Sequence, residues 1–395
     1  MSVSHRPHYA WMICLGGTLM LFTGMGLGVN LYSVFQPYLL EYGGLSNTQG
    51  AWIITVRSLF ILVGMTTANR LIDRIGLRRT CTLAVLLLAL SSFLFGAARQ
   101  FPLYCLAAAL VGLAYSWAGM LPASLLVEHW FGDRQALALG IISAGSGLAT
   151  IIAPLPLTRL INRVSLRAGF WSLGAFTLLI ALLLWLLLRD QPEDKGLVPY
   201  RVPGRTARPI QLRPAPEGVT PLRWAFVLAA AFLVGAATSL GISNFGVLYA
   251  TAGFQENVTA QLISCLGLCM MVGKVAYGQI VDRIGGRRSN YLLYALVLTG
   301  FALSCMADGG SVPLAFAAMV LAGLGLPLSV VSPPIWAKDI CGSEGYARGL
   351  KWVQSIYALG IFLMGPIPGI LADRTGKMCI RDSPQTGAAS RYAYR

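Results

Sequence analysis

Asp73-Arg74-Ile75-Gly76-Leu77-Arg78-Arg79 recurs as Asp282-Arg283-Ile284-Gly285-Gly286-Arg287-Arg288, with Leu77 against Gly286 as the single difference. The copies stand 209 residues apart (282 less 73), about half of the 395-residue chain. Each follows one long apolar stretch and precedes another. A charged turn repeated at half-chain spacing between apolar segments indicates a duplicated, membrane-embedded unit, with the turn between the second and third spans of each half.

Composition agrees with a bilayer as solvent. The chain is 56% hydrophobic, only 11% charged, and has a mean hydropathy of +0.67, more apolar surface than a soluble core of this size would bury. The net charge of +15 would suggest nucleic acid in a soluble protein. Here the basic residues fall between apolar segments, where they orient a membrane protein, and no nucleic-acid partner is expected. The eight cysteines have no C-x-x-C spacing and no histidine beside them, so neither a disulfide framework nor a metal site is implied, and no cofactor is expected. The first apolar stretch is too long for a signal-peptide core.

Apolar stretches of membrane-crossing length predict spans near 9–34, 48–71, 80–98, 101–127, 135–161 and 168–188, then near 223–250, 258–281, 289–308, 311–335 and 349–372. The organisation is therefore a six-helix bundle over 1–188, a cytoplasmic linker over 189–222, and a second bundle over 223–377 with five helices present. The linker holds seven prolines, and an extended or partly disordered course is expected. With the N-terminus in the cytoplasm, 19 Lys and Arg fall inside and 6 outside, the bias that sets orientation. Matching Pro154-Leu155-Pro156 with Pro366-Ile367-Pro368 calls for a twelfth helix after Gly376. Residues 378–395, beginning Met378-Cys379-Ile380-Arg381-Asp382-Ser383, resemble a translated sequencing adapter and are expected to be a non-native tail.

Over about residues 8–377 the chain resembles the major facilitator superfamily, whose loop between helices 2 and 3 reads G-x-x-x-D-R-x-G-R-R. Asn69 replaces the first glycine, while Asp73, Arg74, Gly76 and Arg78 keep their places; the second copy runs from Gly278 through Asp282, Arg283, Gly285 and Arg287. The resemblance implies an all-α fold of two six-helix bundles related by pseudo-two-fold symmetry. It also implies a conformational clasp at these turns, an acidic group pairing with arginines and a helix amino end. A narrower pattern, Trp130-Phe131-Gly132-Asp133-Arg134 through Gly140 and then Ala144-Gly145-Ser146-Gly147, looks like the monocarboxylate transporter and oxalate/formate antiporter branch. Gly140, Ala144 and Gly147 also make a smooth face on which another helix can pack or slide.

Arg57 on the second span and Lys274 on the eighth fall well inside apolar stretches. A cation at the bilayer centre costs at least about 2.5–3.5 kcal/mol, so each must face water, the bundle interior or an anion. No carboxylate lies at depth to neutralise them, and an anionic substrate is the expected partner. In the resembled branch a basic residue on helix 8, usually Arg, occupies the place of Lys274 and pairs with the substrate carboxylate. Met270 stands where proton-coupled animal members carry an aspartate, a departure from the resembled pattern that puts coupling by that route in question. Asn30, Tyr32, Tyr115 and Asn244 complete the expected substrate site, with Gln36, Trp117, Ser243, Tyr249 and Ser332 as further cavity candidates. Gly24, Gly26 and Gly28 should loosen the first span, and Pro327, Pro333 and Pro334 should break the tenth.

The expected function is a secondary active transporter, expected to be a monomer, that moves a small mono- or dicarboxylate by alternating access, with a proton or counter-anion as coupling species. An enzyme would need His, Asp, Glu or Cys constellations at depth, and His5, His8 and His129 all lie near membrane ends. A drug or sugar-phosphate facilitator and a non-transporting sensor are the alternatives.

Overall fold

The computed structural model describes residues 8–201, 221–241, 245, 248–249, 252–307, 311–365 and 367. Asn244, most of the linker and residues 368–395 lie outside this set. The expected twelfth helix, the end of the span at 349–372 and the tail at 378–395 lie outside it too. Ten helices among the described residues are long and apolar enough to cross a membrane.

The first span is not one helix. α1 (Ala10–Leu21) passes into a π-helical stretch over Phe22–Asn30, and α2 (Tyr32–Gly43) continues to a left-handed cap at Gly44, φ 64°. Thr23 donates to the carbonyls of Leu19 and Met20, a local bond that competes with the regular ladder. Gly24, Gly26 and Gly28 permit the wider turn, so the predicted loosening takes the form of a π-helix. α3 (Asn47–Ile75) starts on a capping box between Ser46 and Gln49.

Between α3 and α4 (Leu77–Ala97) stands only Gly76, at φ 85°, ψ 164°. The second copy repeats this: Gly285, at φ 83°, ψ 158°, separates α11 (Glu256–Ile284) from α12 (Gly286–Met306). A backbone with φ this positive is one that glycine adopts without strain. The repeated turn is thus a one-residue reversal between two spans.

The first half continues with α5 (Phe101–Trp117), α6 (Met120–Trp130), α7 (Gln135–Ile152), α8 (Pro154–Arg163) and α9 (Leu166–Leu187). The second half has α10 (Pro221–Leu240), α11, α12, α13 (Val312–Gly325), α14 (Pro327–Val330) and α15 (Ser332–Met364). Pro327 interrupts the tenth span as predicted, opening α14 after α13 ends at Gly325. Pro333 and Pro334 do not break a helix; they open α15, where a missing N–H removes no helical bond. α15 is broken at Gly342 (φ 64°, ψ −170°), inside the expected separation at 336–348, so the tenth and eleventh spans are divided by that one residue, with helix running up to it from both sides.

The linker also departs from expectation at its start. Tyr200 donates its N–H to the Trp130 carbonyl at 2.8 Å and accepts from Gly132 at 2.9 Å, and its ring packs on Trp11 and Phe131. Residues 189–201 are docked on the first half.

Within that half α9 lies along α4. The corresponding face of the second half, formed by α10, α12 and the α13–α14 break, encloses a nearly apolar groove of about 420 Å³ between Leu233, Leu298 and Phe301. The halves meet along two seams, α7 against α11, and α3 with α6 against α15.

Candidate functional site

The α7–α11 seam is narrow because its residues are small. A Cβ on Gly140 would stand 2.8 Å from the Lys274 carbonyl, and one on Gly147 would stand 2.9 Å from Met271 Cβ. The smooth face expected on this helix is where α11 seats. Lys274 lies in this seam, fully buried. Its ammonium donates to Ser146 Oγ at 2.5 Å and to the Ser143 carbonyl at 3.2 Å. Both partners belong to the other half and both are neutral.

Arg57 on α3 is 6% exposed. Nη1 donates to the Val29 carbonyl at 3.3 Å, at the end of the π-helical stretch, and the guanidinium carbon stands 5.2 Å from the centroid of the Tyr32 ring. Nε is buried with no hydrogen-bond partner among the described residues. An orphaned guanidinium donor in a dry site costs stability unless something accepts from it. Tyr115 is buried nearby, in a cluster with Ile61, Met65 and Ala358 of the other half. Arg57, Tyr32 and Tyr115 are therefore brought to one place. No carboxylate among the described residues pairs with Arg57 or Lys274.

Tyr32 and the other candidates also make hydrogen bonds within the protein. Tyr32 donates to the Gly50 carbonyl at 3.2 Å, and Asn30 to Thr150 Oγ1 at 3.3 Å. Trp117 donates to Gly64 and Thr67, Tyr249 to Ser304, and Ser332 to Tyr277. Gln36 is half-buried beside Gly50. Ser243, like Asn244, is outside the described residues.

The turns carry a different arrangement from the expected clasp. Asp73 and Arg74 are exposed, and Asp73 makes no hydrogen bond or ion pair among the described residues. The anion at the amino end of α4 is Asp190, which accepts the Arg78 N–H at 2.5 Å, a favourable site for negative charge. The Arg78 guanidinium donates to the Trp185 carbonyl at 2.6 Å and lies 4.0 Å from the centroid of its ring. In the second copy Arg283 and Arg287 are exposed, and Arg287 donates to the Tyr291 hydroxyl. The Asp282 side chain lies outside the described set.

Residues not singled out by sequence join the halves at the turn end of the bundle. Ala68 and Leu121 pack against Ala337, Tyr346 and Leu350, and Lys338 donates to Gln135 at 2.6 Å. Apolar packing and polar contacts together join the halves there.

The fold is that of a known group. A profile described as Major Facilitator Superfamily matches residues 18–365. The chain belongs to the Major Facilitator Superfamily. Monocarboxylate transporter 12 of Homo sapiens is 27% identical, over 93% of this chain and 76% of that protein. Agnestins efflux protein AgnL12 of Paecilomyces divaricatus is 26% identical, over 77% of this chain and 67% of that protein. In fold, this major facilitator superposes with a bacterial homologue of the human lysosomal transporter Spinster, solved inward-facing and unoccupied. The TM-score is 0.63 at 18% identity, covering 93% of this chain and 84% of that one. This major facilitator is a multi-pass membrane protein that transports a small molecule, and it is not an enzyme.

Proposed function

We propose that this major facilitator carries a small organic anion, a mono- or dicarboxylate, by alternating access across the cytoplasmic membrane, with its N-terminus in the cytoplasm. It works as a monomer, by symport with a proton or by exchange for a counter-anion. The observation that supports this reading is the pair of buried cations, Arg57 and Lys274, for which no carboxylate partner exists among the described residues. A buried charge persists where an opposite charge meets it, and an anion moving through the bundle supplies one. The likeness to a protein named as a monocarboxylate transporter points the same way.

In this reading Lys274 and Arg57 bind the carboxylate, with Asn30, Tyr32, Tyr115 and Asn244 around them. The turn residues Asp73, Arg74, Gly76, Arg78, Asp282, Arg283, Gly285 and Arg287 govern the access states. Because Asp73 is exposed here, its pairing belongs to the opposite state. Asp73→Asn then slows transport several-fold at unchanged carboxylate affinity, measured as flux at equal expression. Unchanged flux returns the motif to a polar turn.

The likeness to an efflux protein favours a second reading, export of a larger neutral or drug-like solute. A thermal-shift screen separates the two: acetate, lactate, benzoate, oxalate and succinate are compared with their amides. Stabilisation by carboxylates alone supports the anion carrier; stabilisation by the amides alone favours export of a neutral solute.

A further inference from the structure

Ser146 and Lys274 come from opposite halves, and their contact is chemically incomplete. The Ser146 hydroxyl donates its own proton to the Ser143 carbonyl at 2.9 Å, which leaves an oxygen lone pair for the ammonium at 2.5 Å. The Ser143 carbonyl accepts a second ammonium N–H at 3.2 Å, while the Ser143 hydroxyl is turned back to Gly140. Ser143, Ser146 and Lys274 are all fully buried. The ammonium is thus held in a dry seam by two neutral acceptors, and a carboxylate would accept from it more strongly than either. The seam between α7 and α11 lies between the halves, so their relative movement bears directly on this contact.

We propose that Ser146 is a positioning residue, holding Lys274 against the first half when no anion is bound and yielding the ammonium to the substrate carboxylate. This rests on the reading of Lys274 as an anion contact. Ser146 thereby sets how readily Lys274 is recruited: every bond the ammonium makes in the empty carrier must be exchanged on binding.

The sign of the expected effect is unusual for removal of a buried hydrogen bond. Ser146→Ala weakens the empty state more than the anion-bound state, so the anion binds tighter, by about fivefold to tenfold in Kd. Ser146→Cys keeps the volume with a weaker acceptor and gives a smaller shift in the same direction. It also covers the case in which the alanine variant fails to fold. A serine that only packs would lower the melting temperature and leave Kd unchanged.

The test titrates purified wild type, Ser146→Ala, Ser146→Cys and Lys274→Gln with acetate, lactate and benzoate by calorimetry. Tighter binding in both serine variants, with binding weakened tenfold or more in Lys274→Gln, is the expected result. Unchanged or weaker binding in the serine variants, beside the same weakening in Lys274→Gln, overturns the role of Ser146 and leaves the anion carrier standing. Wild-type affinity in Lys274→Gln, or no binding of any of the three to wild type, overturns both.

Discussion

Lys274→Gln is expected to weaken carboxylate binding by an order of magnitude or more. Glutamine is one atom shorter than lysine and can still donate hydrogen bonds, but it removes the charge, and a hydrogen bond to a charged group contributes roughly 1.5–3 kcal/mol. The buried position of Lys274 leaves little water to screen that loss. Lys274→Arg retains partial function: the charge survives, but a planar fork is forced into a seam fitted to a slender ammonium. Equilibrium binding of a radiolabelled carboxylate reads the effect, and unaltered affinity in Lys274→Gln removes Lys274 from the site.

Gly140→Val is expected to abolish most transport. A Cβ there would stand 2.8 Å from the Lys274 backbone carbonyl, and backbone inside a packed helix yields only if the whole seam opens. Overpacking of this kind costs about 1–3 kcal/mol, enough to change the balance between access states that differ by a few kcal/mol. Flux in proteoliposomes should fall below about a tenth of wild type, with a lower melting temperature in detergent. Leu148→Val, on the exposed face of the same helix, serves as the control and changes neither. Wild-type flux in Gly140→Val would show that the seam is not needed in this form.

The duplicated turn was the most legible feature of the sequence. Its spacing predicted the two halves, and both copies fold as a one-glycine reversal with nearly the same dihedrals. The burial of Arg57 and Lys274 was legible too, since a lone cation in an apolar stretch has few places to go. Their partners were not. Ser146 is 128 residues from Lys274, and Asp190 is 112 from Arg78; local spacing contains no sign of such pairings. The run from Ser143 to Gly147 nevertheless held a clue, because serines among glycines on one helix offer both close approach and acceptors. Lys338, Arg348 and Lys351 read as a loop but lie on helical turns, and the separation they suggested narrows to a break at Gly342. In the first span the glycines were correctly singled out, while the π-helical form that the loosening takes was not legible from hydropathy.

The most direct measurement is flux of a radiolabelled carboxylate into proteoliposomes containing the purified protein, with unlabelled carboxylates and their isosteric amides as competitors. An anion carrier built on Arg57 and Lys274 takes up the label saturably, is inhibited by carboxylates and ignores the amides, and loses uptake in Lys274→Gln. Equal inhibition by amides and carboxylates, or full uptake in Lys274→Gln, would contradict it.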